Sequence, residues 1–265
     1  MPTRWLVGGN QEAREILFFI HGFPDSPHTF SAQVEFFKND YLILMPFLRG
    51  MDNEAGTEIP KNRYSIDSIV LDFMEIINSH DPDGECKVHI VAHDIGGLFA
   101  WQLAGDLGKE RATLTAINAP SVQIMKQRLG SFSQLRKSWY IALFQIPGVS
   151  ESLWKKFGSK LIDKDLQNHD YAAGDVSGGL NLYRAGFNAV LENLVSGQIN
   201  ENLGRVLCIS GSKDPYLSVS QKSEVKNLGS EMVMRVLEGG HWLHRSNANK
   251  INQHMHDFFR SADVK

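Results

Sequence analysis

The chain is short of cysteine. Only Cys86 and Cys208 occur among its 265 residues, too few for a disulfide framework. Each lies beside or within a strand-like run, so both are expected as buried free thiols. No Cys/His spacing of the zinc type is present. Long apolar runs are also missing: the longest, ILFFI at 16–20, falls far below the roughly 20 residues that cross a bilayer. The N-terminus, MPTRWLVGG, has no basic segment followed by an apolar one and does not read as a signal peptide. A cytoplasmic protein without membrane insertion is expected. Nor is there an excess of one charge. A formal net charge of −3, with no block of like charges, predicts no affinity for nucleic acid and no pull towards anionic membranes.

What is there is enough apolar residue, 42%, for one sizeable core. Short apolar runs alternate with longer helical stretches. The strand candidates are ILFFI (16–20), YLILM (41–45), KVHIVA (87–92), TLTAIN (113–118), RVLCIS (205–210) and MVMRVL (232–237). Their continuous hydrophobicity suits parallel strands buried on both faces. Between them, SIDSIVLDFMEIIN repeats apolar residues at helical spacing with Ser65 as N-cap, GLFAWQLAGDL follows a turn, and NKINQHMHDFF lies near the end of the chain. This order is an α/β pattern. From about 121 to 202 the strand rhythm stops, and a helical, aromatic-rich stretch broken at Pro147-Gly148 takes its place. Residues 1–120 and 203–265 are therefore read as the core, and 121–202 as a helical insertion over the C-terminal edge of the sheet.

In an open parallel sheet, functional groups gather beyond the carboxyl ends of the strands. After KVHIVA comes HDIGGL, a small-x-nucleophile-x-Gly turn between strand and helix. Asp94 stands at its tip, where Gly96 and Gly97 let strand and helix pass closely. After RVLCIS comes GSKDPYL, with Asp214; after MVMRVL comes EGGHWLH, with His241. His244 competes but lies a helical turn further on, without a glycine loop to place it. Nucleophile, acid and histidine follow in a known triad order. HGFPDS at 21–26 follows the first predicted strand. By position, the backbone amides of Phe23 and Ile95 form an oxyanion hole.

A carboxylate nucleophile changes the chemistry. Aspartate is ionised at neutral pH and needs no base to activate it. It attacks a saturated electrophilic carbon and becomes an ester of the protein. Water activated by His241, itself oriented by Asp214, then cleaves that ester, while the amides stabilise charge on the oxygen of Asp94. A halide leaving group needs N–H donors; an epoxide oxygen needs a proton, which tyrosine supplies.

HGFPDSPHTF, LRG at 48–50, AHDIGG, NAP at 118–120, WY…FQIPG, LNLYRA, GSKDP and GGHW together resemble the epoxide hydrolases of the α/β-hydrolase superfamily over nearly the whole chain. The resemblance implies an α/β-hydrolase fold: a mostly parallel central sheet flanked by helices, with a helical cap. It implies that Tyr140 and Tyr183 grip the epoxide oxygen, that the partners are a small apolar epoxide and water, that no cofactor or metal is needed, and that the chain is a monomer or homodimer. The pattern departs from the family at Ile95 (usually tryptophan), at Phe47 (often acidic) and in GMDNEAGTEIP at 50–60. The short N-terminal region implies one or two reduced edge strands. A rival reading is a haloalkane or haloacid dehalogenase with the same triad. Phe23 and Ile95 lack the side-chain N–H expected there, and Arg49 and Arg184 are the arginines left to hold a carboxylate. The other rival is a non-catalytic binding protein of the same fold.

Overall fold

The computed structural model describes residues 3–52, 59–128, 131–161, 176–196, 203–219 and 231–261. Among these residues seven strands form one sheet: β1 (Trp5–Gly9), β2 (Glu15–Ile20), β3 (Leu42–Pro46), β4 (Lys87–His93), β5 (Ala112–Ile117), β6 (Val206–Gly211) and β7 (Met232–Leu237). Their order is β1-β3-β2-β4-β5-β6-β7, and only β1 runs antiparallel to its neighbour. The sheet is the mostly parallel one expected. β1 is an addition to the six predicted strands: five residues long and ending in two glycines, it carries too little apolar signal to stand out. β7 differs from its prediction in being a half-exposed edge rather than doubly buried.

Side chains alternate across the sheet, so β2 feeds two apolar cores. Ile16, Phe18 and Ile20 pack with helices α2 (Ile66–His80) and α3 (Gly96–Leu107) through Phe73, Ile76, Phe99 and Leu103. Leu17 and Phe19 face the other way, towards Phe37 of α1 (Ser31–Phe37) and Met255 and Phe259 of the C-terminal helix Ala248–Arg260. Ser65 caps α2 as expected, accepting from the Ser68 amide at 3.3 Å. Cys208 is a buried free thiol; Cys86 is free but only partly covered.

Beyond β5 the chain forms α4 (Val122–Arg128), α5 (Phe132–Lys137), α6 (Trp139–Phe144), α7 (Val149–Leu161) and α8 (Ser177–Ser196). The break at Pro147-Gly148 separates α6 from α7, and Gly148 has φ +79°. Residues 162–175 and 197–202 of the expected insertion, and 53–58 of the divergent stretch, lie outside the described residues.

Candidate active site

Asp94 follows the last residue of β4 and has φ 51°. A non-glycine residue in this region is held there by its surroundings. Here they are the close passage of α3 over the sheet. A Cβ on Gly96 would stand 2.5 Å from the His21 carbonyl oxygen, and one on Gly97 2.8 Å from Cβ of Ala119. The two glycines let the helix start immediately after the strand, which lifts the Asp94 carboxylate above the sheet.

Four groups converge on that carboxylate. The Phe23 amide donates to Oδ2 at 3.1 Å, and the Ile95 amide also donates to the carboxylate. Tyr183 Oη donates to Oδ2 at 3.1 Å. His241 Nε2 stands 3.6 Å from Oδ1, and its Nδ1 is 2.8 Å from Asp214 Oδ2. The other oxygen of Asp214 accepts from the amides of Tyr216 at 2.7 Å and Leu217 at 2.9 Å. Burial pushes Asp94 up, but the positive charge of the neighbouring His241 outweighs it and holds the carboxyl at about 2. Burial likewise disfavours the imidazolium of His241, yet Asp214 and Asp94 together raise it to about 10. The free site is thus an imidazolium between two carboxylates.

Tyr140 on α6 and Tyr183 on α8 hydrogen-bond to each other, with ring centroids 6.1 Å apart. Burial, then the charge of Asp94, drives both phenols well above their ordinary value. Both therefore keep their protons at neutral pH. The seven residues singled out in the sequence meet in one place. Arg49 and Arg184 do not join them: Arg49 is spent on Asp72 and Ser68, Arg184 on Glu151 at 2.8 Å and Asn181 at 2.7 Å.

A cavity of about 230 Å³ opens beside the carboxylate. Asp94, Tyr140 and Tyr183 stand in its wall with Ile95, Leu98, Phe187 and Val190. Tyr183, Gly186, Phe187 and Val190 fall on one face of α8.

Asn118, which follows β5, holds the histidine loop. It has φ 46°. Its Nδ2 donates to the His241 carbonyl at 2.7 Å, and its Oδ1 accepts from the Gly211 amide at 2.9 Å. The only sequence signal was its place in NAP at a strand end. His21 similarly accepts from the Leu48 amide through Nε2 at 3.0 Å, fixing the loop that carries Phe23.

A family model described as the alpha/beta hydrolase fold matches residues 15–248. The chain belongs to the α/β-hydrolase fold family. Among curated relatives of this α/β-hydrolase, Epoxide hydrolase 1 of Caenorhabditis elegans is 27% identical over 95% of the chain, which spans 66% of that relative's length. Epoxide hydrolase 4 of Homo sapiens is 24% identical over 98% of the chain and 76% of its own length. A solved epoxide hydrolase mutant from Bacillus megaterium superposes with a TM-score of 0.78 at 21% identity, covering 97% of this α/β-hydrolase and 96% of that chain. At that identity the likeness speaks for the fold. Among the described residues no helix is long and apolar enough to cross a membrane.

Proposed function

We propose that the chain is an epoxide hydrolase, adding water to an oxirane through an aspartyl ester to give a vicinal diol. The observation that carries this reading is the pair of protonated phenols above the carboxylate, with Tyr183 Oη 3.1 Å from Asp94 Oδ2. A halide leaving group has no use for two proton donors, whereas an alkoxide needs one. The names of the relatives point the same way.

In the first step Asp94 Oδ1 bonds to an oxirane carbon, the carbon–oxygen bond of the ring breaks, and Tyr183 with Tyr140 supplies the proton to the departing oxygen. Oδ2, held by the Phe23 amide, becomes the ester carbonyl. Esterification removes one of the two charges that keep His241 protonated, so its affinity for a proton falls; it returns its proton to the phenolate left by ring opening and becomes a base. It takes a proton from water, whose oxygen attacks the ester carbon. The amides of Phe23 and Ile95 hold the resulting oxyanion, a contribution of about 3–4 kcal/mol per donor in other hydrolases. Collapse releases the diol and leaves a solvent oxygen on Asp94. Tyr140, Tyr183 and His241 relay the protons in this scheme, and the described helices α6 and α8 of the expected cap bring Tyr140 and Tyr183 into the cavity wall. The cavity's apolar wall suits a small apolar epoxide.

The test is a panel of aryl, aliphatic and fatty-acid epoxides beside fluoroacetate and haloalkanes, with diol and halide both measured. Diol from the epoxides is expected; halide release without diol would replace this reading by dehalogenation. Asp94→Ala should lower kcat/KM by on the order of 10⁴-fold or more. His241→Gln should trap the ester, seen as enzyme mass increased by one substrate.

A further inference from the structure

Three buried side chains outside the reaction scheme converge from distant parts of the chain. Asp25 lies in the loop after β2, His93 ends β4, and His244 sits in the helical turn Leu243–Ser246. Their exposures are 4%, 0% and 0%, and none is in the cavity wall. One donor atom of each lies within 4.8 Å of the others; His93 Nδ1 is 3.9 Å from Asp25 Oδ2.

The surrounding hydrogen bonds fix where the protons are. His93 Nε2 is 3.1 Å from the His241 carbonyl oxygen, which only accepts, so Nε2 carries the hydrogen. Thr29 Oγ1 donates to Asp25 Oδ2 at 3.0 Å. At its 2.7 Å contact with His244 Nε2, Thr29 must then be the acceptor, and that nitrogen too carries the hydrogen. Each ring is left with a bare lone pair on Nδ1, and among the described residues neither Nδ1 has a hydrogen-bond partner. The third member is a carboxylate. Buried polar atoms without partners are uncommon and call for an occupant.

We propose that Asp25, His93 and His244 bind one divalent transition-metal ion of the zinc class through a carboxylate oxygen and two imidazole Nδ1 atoms. Two nitrogens and an oxygen are a donor set such ions accept. Each imidazole already gives its other N–H to an oxygen, the outer-shell arrangement typical of metal-bound histidine. Asp25 Oδ2 already accepts from Thr29 and from the Trp242 indole at 3.0 Å; a cation takes the lone pairs of both Nδ1 atoms and offsets the buried carboxylate charge. The ion does not meet substrate. His93 adjoins Asp94 and its Nε2–H holds the His241 carbonyl, so the ion braces nucleophile and histidine loop together. No local Cys/His spacing announces it, because each ligand comes from a different segment.

The test is metal content by mass spectrometry of the full chain, grown with added Zn²⁺ and purified without chelator. About one equivalent per chain is expected, slow to leave in EDTA because the ligands are buried. In His244→Gln, checked for native circular dichroism, the content should fall at least about tenfold. The exposed His28→Gln should keep it. If His244→Gln does not fold, the near-isosteric Asp25→Asn replaces it with the same expectation. Wild-type chain with less than about a tenth of an equivalent, or a folded ligand variant with undiminished zinc, overturns the proposal.

Discussion

Asp94 and His241 shift one another in opposite directions, and this ties stability to pH. The folded value of His241 is raised to about 10 from 6.5. Its contribution to stability is complete below 6.5 and is lost as pH climbs through the folded value. Asp94 is lowered to about 2 from 3.8, so its contribution is complete above 3.8 and is lost as pH falls through about 2. The wild-type melting temperature should therefore decline between pH 6.5 and 10 more steeply than that of His241→Gln. Parallel curves for the two would contradict the ion pair. Tyr183 acts at the same scale. Removing its hydroxyl as Tyr183→Phe should slow ring opening by roughly 10²-fold while Tyr140 still donates, and single-turnover rates of ester formation measure this directly. Asp94, Asp214 and His241 were legible because each stands within two residues of Gly or Pro at a strand end, whereas Tyr140 and Tyr183, within α6 and α8, were named only through the family resemblance. Asn118 was not, since a neutral amide that works by holding backbone carbonyls carries no chemical signature of its own.

At the level of elements, the site depends on how tightly α3 lies against β2. A methyl group on Gly96 would meet backbone oxygens of His21 at 2.5 Å and Ile20 at 2.7 Å, which cannot rotate away as a side chain can. Gly96→Ala should thus cost roughly 1–3 kcal/mol, read as a lowered urea midpoint with unchanged slope, and should disturb the turn that presents Asp94. An unchanged midpoint would mean that helix and strand are looser than described. The strands whose apolar runs are continuous announced themselves in the sequence because both their faces are covered. β1 did not: it gains its place from pairing with β3 rather than from burial, for its residues are half-covered at best. β7 was legible as a strand but not as an edge, because exposure at the end of a sheet is set by what lies beside it and not by its own residues.

Over the whole molecule, two cores on opposite faces of one sheet hold three strand ends in register, and the helices after β5 bring two tyrosines down upon them. Periodicity alone located that helical interval, but not how α6 and α8 approach Asp94, since such an approach is made of contacts between residues far apart in sequence. Phe23 illustrates this. Its ring lies 4.7 Å from Trp154 of α7 and 5.7 Å from Tyr183 of α8 by centroid, so one residue joins the oxyanion loop to the helices above it. The reaction proposed for this assembly makes Asp94 a carrier of oxygen rather than an activator of water. A single turnover in ¹⁸O-water with enzyme in excess of epoxide separates the two. The account predicts a first diol free of label and Asp94 labelled afterwards, found by mass spectrometry of its peptide. Label in the first diol, with an unlabelled Asp94, would contradict it.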